Sequence, residues 1–370
     1  MNTIRQKFWI LGGRNLLRQA YHRCITCFRQ KPKLIQQMTA DLPASRVNPS
    51  RPFSVTGLDY CGPVYTKALH RKTAPTKGYI AIFICFSTRA IHLELVGDLS
   101  TAAFIAALRR FISRRGKVQE LHSDNATNFK GTANELQQLY KMLKVNDADR
   151  QLIFNWCANS EINWKFIPPR ASHFGGLWEA AVKSTKTHLL KQMGNTVVTL
   201  EEMFTLLAQI EMCLNSRPLT EMSNDPGDLE ALTPGHFLVG SNLQAIPESD
   251  LKQIPDNRLN RWQLVQKRIQ QIWRRWYPEY IQHLQRRSTK GCKLSTEIHI
   301  GQLVLIKDDN LPPAQWSIGR IVKTHPGRDG IVRVVTLKTP VADNVMRPVA
   351  KIALLPEPTN VECESEDEPK

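Results

Sequence analysis

Three acidic residues have settings that could support phosphoryl-transfer chemistry: Asp59 in PFSVTGLDYCGP, Asp124 in LHSDNATNF and Glu179 in HFGGLWEAAVKSTK. Each is predicted to sit on a strand, at a strand end, or just inside a helix behind a Gly-Gly turn, where it can point to a shared centre. Carboxylates gathered at one point repel one another unless cations neutralise them. An oxygen-only set suits a hard divalent ion such as Mg²⁺ or Mn²⁺. Two such ions, held about 3.5–4 Å apart, activate one oxygen and stabilise another during in-line attack on a phosphodiester. Read singly, each residue has a plainer role. Asp59 suits a strand-end turn, Asp124 an Asx-turn in Ser-Asp-Asn, and Glu179 the first turn of a helix, where the macrodipole favours an acid. Asp59, however, lies in a mostly apolar strand, where an unpaired charge is costly. Taken together in this strand order, the three point to a metal site.

Positioning them requires an α/β frame. Phe53 to Asp59 reads as a strand, and the apolar run Gly78 to Ser87 as a buried one. Ala90 to Val96 alternates, with Ile91, Leu93 and Leu95 on one side and His92 and Glu94 on the other. Ser100 caps a helix that Gly116 closes. Val118 to His122 is a short strand leading to Asp124. GTANELQQLYKMLK is an amphipathic helix, and residues 147–159 could add another. Ile162 to Ile167 is a strand stopped by Pro168-Pro169. Gly175-Gly176 introduces the helix bearing Glu179. A helix after Thr199 is expected to bury Leu200, Phe204, Leu207, Ile210 and Leu214. The first three strands suggest an antiparallel meander, followed by crossovers into parallel pairing. Residues 241–260 form a polar connection. Residues 261–287 read as a basic, aromatic helix interrupted near Pro278. From 298 onward, short strands separated by turns suggest a small β-barrel.

The net charge of +17 and pI near 9.7 indicate a polyanionic partner, bound with release of counterions. Eight scattered cysteines, of which only Cys24 and Cys27 are close, form no disulfide framework and fit a reducing compartment. The start of the chain lacks an uninterrupted apolar region, and YIAIFICF is too short to span a bilayer. The expectation is an intracellular, soluble protein with no membrane partner.

The motifs resemble those of integrases. HSDNATNF, between a strand and a helix, looks like the second-aspartate motif of retroviral and retrotransposon enzymes. TGLDYCGP looks like their first-aspartate strand, and FGGLWEAAVKSTK like their glutamate helix. RASHFGGLWEAAVKSTKTHLL and CLNSRPLT most resemble integrases of BEL/Pao long-terminal-repeat retrotransposons, and the resemblance covers nearly the whole chain. It implies a ribonuclease H-like mixed-sheet core with Asp59, Asp124 and Glu179 as catalytic and metal-binding triad. It also implies a small SH3-like C-terminal barrel serving as a DNA-binding or assembly platform. The spacings are 124 − 59 = 65 and 179 − 124 = 55. The second is longer than in retroviral enzymes by about one helix, which residues 147–160 could supply. The implied reaction cuts near the 3′ end of element DNA, then joins the freed 3′-hydroxyl to target DNA. The resemblance further implies a homo-oligomer acting in the nucleus, where integration takes place.

Other residues are candidates for contact with DNA or metal. Asn125 and Asn128 could hydrogen-bond DNA or serve only in local turn bonding. Lys183 and Lys186, on roughly the helix face of Glu179, are candidates for phosphate contact or for an ordinary solvated face. His122 could shape the site but reads more simply as structural, and His173 is open to the same two readings. In the 261–287 segment, Arg268, Arg274 and Arg275 are expected to face DNA while the interleaved aromatics pack inward. Cys24-x₂-Cys27 resembles the second half of an integrase zinc module. His22 is the sole upstream histidine and lies too close to it, so zinc binding is not expected of this chain. The domains expected are 1–42, the partial zinc module; 46–240, the catalytic core; 260–357, the basic helix with the barrel; and 358–370, an acidic disordered tail. Two other readings stand beside a competent integrase: an inactive, element-derived DNA-binding protein, and a different ribonuclease H-like nuclease acting on RNA–DNA hybrids.

Overall fold

The computed structural model describes residues 47–67, 74–123, 161–166, 197–223, 227–285, 298–308 and 310–356, with isolated positions 12, 13, 15, 16, 19, 23, 155 and 225. Two compact units are distinguished, Met1–Pro43 and Ala44–Lys370. In the first, Gly12 takes a turn conformation at φ +66°, and the described positions from Gly13 to Arg23 are helical.

The second unit opens with β1 (Val55–Lys67), β2 (Thr76–Cys85) and β3 (Ile91–Val96). They form an antiparallel meander, with Asp59 opposite Ile82 and Phe83 opposite His92. Phe53, expected within the first strand, precedes it at φ +60°. Helix α1 (Thr101–Arg115) follows, its N-terminus capped by the Ser100 side chain and its C-terminus closed by Gly116. At φ +86° Gly116 adopts a backbone that residues with a Cβ avoid. Strands β4 (Glu120–Ser123) and β5 (Asn163–Phe166) then add in parallel, β4 against β1 and β5 against β4. The resulting order is β3-β2-β1-β4-β5, with the two-residue β6 (Val198–Thr199) pairing the far end of β1. Meander followed by parallel pairing is what the sequence pattern indicated. One face of the sheet packs Leu58, Tyr60 and Phe83 against Phe104, Leu108 and Phe111 of α1.

Helix α2 (Leu200–Asn215) covers the other face. Its start is a capping box between Thr199 and Glu202. The buried stripe is Met203, Leu206, Leu207, Ile210, Cys213 and Leu214. Leu200 and Phe204, expected inside, are 54% and 43% exposed. The residues at 203, 206, 207 and 210 outline an alternative stripe, and that one faces the sheet.

The end of α2 also protects an edge of the sheet. β3 is an edge strand, whose unpaired N–H and C=O groups need partners. Asn215 Oδ1 accepts from the Ile91 N–H at 2.8 Å, and its Nδ2 donates to the Ile91 carbonyl at 2.7 Å. Glu211, one turn earlier, accepts from the Leu93 N–H at 2.9 Å. Two side chains at i and i+4 thus act as a substitute strand. Asn215→Ala leaves both Ile91 groups without these partners and is expected to cost about 2 kcal/mol. A urea midpoint unchanged from wild type would contradict this role.

The residues after Asn215 tie the core to the C-terminal segments. Arg217 is buried and donates to the carbonyls of Leu214 and Arg89. Burial pushes its pKa down to about 10, so it stays charged at neutral pH. Trp316 Nε1 donates to Ser216 Oγ at 3.2 Å, and the Tyr280 hydroxyl donates to the Pro218 carbonyl. Strands β7 (Thr220–Glu221) and β8 (Ala231–Leu232) pair, and helix α3 (Pro234–Val239) follows.

Helix α4 (Arg261–Leu284) runs 24 residues without a break, through Pro278. The expected interruption is absent. Proline forfeits one backbone hydrogen bond but has a helical φ, and the aromatics on both sides anchor the helix. Trp273, Trp276 and Tyr277 are buried, and with Tyr280 they surround Trp316 at centroid distances of 5.1–5.9 Å. The Tyr277 hydroxyl donates to the carbonyl of Ile306 at 3.0 Å, which joins the helix to the last sheet. That sheet is antiparallel, in the order β12-β11-β10-β9-β13. Its strands are β9 (Leu303–Ile306), β10 (Ile318–Pro326), β11 (Val332–Lys338), β12 (Val345–Pro348) and β13 (Ile352–Leu354), with a 3₁₀ turn at Val349–Lys351. Among the described residues no pairing joins β12 to β13, so hydrogen bonds do not close the sheet into the expected barrel.

Candidate active site

Asp59 lies near the middle of β1, half-buried, between Leu58 and Tyr60, whose side chains enter the α1 face of the sheet. Its Oδ1 accepts from the Tyr60 backbone N–H at 2.7 Å, which fixes the rotation of the carboxyl group. The strand carries it because Thr56 to Cys61 pair without a shift with Ile80 to Cys85, a fully buried run.

The parallel neighbour β4 sets the second part of the site. Val55, Thr56, Gly57 and Leu58 stand level with Glu120, Leu121, His122 and Ser123. The carboxyl end of β4, Ser123, is therefore beside the residue that precedes Asp59. Ser123 is buried, and its Oγ accepts from Trp164 Nε1 of β5 at 2.9 Å. His122 is packed against the Phe86 ring, centroids 4.8 Å apart, and its Nε2 lies 3.3 Å from Glu120. Lys165 of β5 donates to the same carboxylate at 2.8 Å. Chiefly through that bond, the Glu120 carboxyl is held below the usual range. His122 thus has the structural contacts expected of it. The surroundings supplied by Trp164 and Lys165 had no signal in the sequence, since they exist only once β5 is known to lie beside β4.

Asp124, Asn125, Asn128, His173, Glu179, Lys183 and Lys186 lie outside the described residues, as do Cys24 and Cys27. Among the described residues no three His, Cys, Asp or Glu side chains come together as a metal site. Of the triad, Asp59 alone is described, and it is an oxygen donor of the kind a hard divalent ion takes.

The three arginines of α4 expected to face DNA differ. Arg268 is half-buried, its Nη2 2.7 Å from Asp256 and its Nη1 2.9 Å from Gln271. Arg274 and Arg275 are exposed. Among the described residues no helix is long and apolar enough to cross a membrane.

Comparison with known proteins adds three findings. No curated protein matches this chain. A chain in the cryo-EM structure of the simian T-cell lymphotropic virus intasome in complex with PP2A regulatory subunit B56 gamma is similar at 14% identity and a TM-score of 0.35, over 92% of this chain and 91% of that one. A likeness of this strength does not bear on function. Residues 260–355, from the start of α4 to the end of the last sheet, match a family of unknown function, DUF5641.

Proposed function

We propose that this chain is an integrase-type polynucleotidyl transferase of the BEL/Pao retrotransposon kind, cutting and joining element DNA ends to target DNA. The register of β4 against β1 carries this reading: it sets Ser123 beside Leu58, so the two strands run in parallel toward Asp59 and Asp124. Neighbouring strands lie about 4.8 Å apart, and chain connectivity keeps the Cα of Asp124 about 3.8 Å from that of Ser123. Asp59 and the carboxyl end of β4 are then close enough to serve one pair of ions with the usual separation of about 3.5–4 Å. A mixed sheet in the order 3-2-1-4-5 is also what a ribonuclease H-like core requires.

In this reading Asp59, Asp124 and Glu179 hold Mg²⁺ or Mn²⁺. Bound there, the ions supply an activated water or 3′-hydroxyl and stabilise the leaving oxygen. The chain orients the groups: the Tyr60 N–H fixes the Asp59 carboxyl, and the β1–β4 pairing fixes the spacing of the strands. Asn125, Asn128, Lys183 and Lys186 would position DNA. Residues 46–240 form the catalytic core and 260–357 a DNA-binding or assembly module, with 1–42 and 358–370 outside them. The partners are element and target DNA and further copies of the chain, and the place of action is the nucleus.

The test is strand transfer on short duplexes in Mg²⁺ and Mn²⁺. Joined product from wild type, lost in Asp124→Asn, is expected. An unchanged rate in that variant overturns the assignment. Salt-sensitive DNA binding with no cleavage in either metal would instead favour a binding protein without catalysis.

The arginines offer a separate check. Each phosphate contact contributes about 0.9 to the slope of log affinity against log salt. Arg274→Gln and Arg275→Gln should each lower that slope by about 1 between 50 and 200 mM salt. Arg268→Gln should change it less, since Asp256 already holds that guanidinium. Equal slopes for all three variants would remove Arg274 and Arg275 from the DNA surface.

A further inference from the structure

Lys165 shares a sheet face with Asp59. Leu58 and Tyr60 of β1, Leu121 of β4 and Trp164 of β5 pack on the α1 face. Successive side chains along a strand point to opposite faces. Asp59, Glu120, His122 and Lys165 therefore turn to the other one. The contacts agree: Lys165 Nζ donates to Glu120 at 2.8 Å, and His122 Nε2 lies 3.3 Å from the same carboxylate.

Register then gives a distance. Gly57, His122 and Lys165 stand level across β1, β4 and β5, and Asp59 is two residues further along β1. Two strand spacings of about 4.8 Å and two rises of about 3.3 Å put the Lys165 Cα roughly 12 Å from that of Asp59. Gly57 raises no side chain between them, and the flexible four-carbon lysine stem covers part of the span. A DNA strand bound at Asp59 thus passes within reach of this ammonium a few nucleotides from the reacting phosphodiester.

The ion pair that occupies Lys165 is one that opens at little cost. Its lysine and glutamate side chains are 47% and 29% exposed, so water screens the attraction. A backbone phosphate offers the ammonium a second anion, and that contact releases a counterion. When Lys165 leaves, Glu120 keeps His122 as a neighbour.

We propose that Lys165 grips a backbone phosphate of the DNA strand lying over Asp59, and that Glu120 holds the ammonium until DNA arrives. The position of the DNA rests on the integrase-type reading above. Glu120 competes with DNA for Lys165, so removing its charge favours binding. A second lysine–glutamate pair provides the control. Lys117, bonded to Glu161 and 56% exposed, lies ahead of the amino end of β4, away from Ser123.

The probe is a DNA duplex of about 20 base pairs, titrated with the full chain by anisotropy at constant Mg²⁺ between 50 and 200 mM salt. Lys165→Gln should lower the slope of log affinity against log salt by about 0.9 and weaken binding about fivefold at 150 mM. Glu120→Gln should tighten binding about threefold, and the double variant should bind no tighter than Lys165→Gln alone. Lys117→Gln should match wild type. Both lysine variants should melt within about 2 °C of wild type, since neither removes more than a screened surface pair. In strand transfer, Lys165→Gln should raise KM about fivefold and leave kcat within about twofold. A Lys165→Gln chain with the wild-type slope overturns the proposal. So does an equal loss in Lys117→Gln, which makes the effect one of overall charge, or a Glu120→Gln chain that binds no tighter than wild type. An unchanged KM overturns the placement over Asp59. A wild type that shows these binding differences but joins no DNA overturns the catalytic reading instead and supports the phosphate contact.

Discussion

Asp59→Asn is expected to lower metal-dependent strand transfer at least a hundredfold while leaving the fold in place. A hundredfold loss corresponds to about 2.7 kcal/mol of transition-state stabilisation, a modest requirement for a residue proposed to ligate two ions. The fold should survive for a local reason. An asparagine Oδ1 can still accept the Tyr60 N–H that Asp59 accepts at 2.7 Å, and the paired strand around it is unchanged. The change in unfolding free energy should stay within about 1 kcal/mol. The sign in the absence of metal is informative. If the carboxylates converge, removing one relieves repulsion, so the metal-free variant should melt at or above the wild-type temperature. Millimolar Mg²⁺ should then raise the melting temperature of wild type, because a ligand that binds only the native state stabilises it, and should raise that of Asp59→Asn much less. A variant that joins DNA at the wild-type rate, or that gains the same Mg²⁺ stabilisation, removes Asp59 from the site.

The meander was legible because its signal is strong and local. Tyr79 to Cys85 is an unbroken apolar run, and the alternation from Ile91 to Val96 places residues correctly on the two sides of β3. The sequence could not say what covers the second side. Alternation alone sets His92 and Glu94 opposite Ile91, Leu93 and Leu95, and they too are buried, because the last turns of α1 bring three arginines over them. On α2 two overlapping apolar stripes compete. Bulk favoured the one with Leu200 and Phe204, and the packed one uses Met203 and Leu206 instead. Pro278 misled for a related reason: its penalty is local, whereas the aromatic cluster that anchors α4 on both sides of it includes Trp316, remote in sequence. At the site, Asp59 could be read from its strand. The pairing that makes its surroundings, β4 on β1 and β5 on β4, joins segments too far apart for periodicity to reveal.

The buried ion network over β3 carries the largest expected effect on stability. Glu94 has a side chain only 1% exposed. Its Oε2 accepts from Arg110 Nε at 2.7 Å, and its Oε1 accepts from Arg114 Nη1 at 2.9 Å. His92 lies between two carboxylates, Nε2 3.2 Å from Glu94 and Nδ1 3.1 Å from Glu211, and Glu211 also pairs with Arg115. Arg115 Nε stands 3.3 Å from the same Nδ1, but it cannot donate to a protonated ring, and the shorter contact to Glu211 favours the imidazolium. Burial alone would lower the His92 pKa. The hydrogen bonds to Glu211 and Glu94 outweigh it and raise the value above 6.5. Burial would likewise raise Glu94, yet the bonds from His92 and Arg110 hold it below 4.5. The two contributions therefore oppose each other in pH. The Glu94 part is present above its unfolded value near 4.5 and is lost as pH falls through the folded one. The His92 part is complete below about 6.5 and is lost as pH rises through the raised folded value. Stability from the network should peak between about 4.5 and 6.5 and decline on the alkaline side. Glu94→Ala leaves the buried imidazole with Glu211 as its one carboxylate partner and should cost about 3 kcal/mol, at the low end for a buried pair because Glu211 remains and Arg110 and Arg114, 39% and 60% exposed, can turn to water. His92→Leu should cost less and remove the alkaline decline. Urea unfolding of the three proteins from pH 5 to 9 measures both effects. A His92→Leu chain that keeps the wild-type decline would place its origin outside this network.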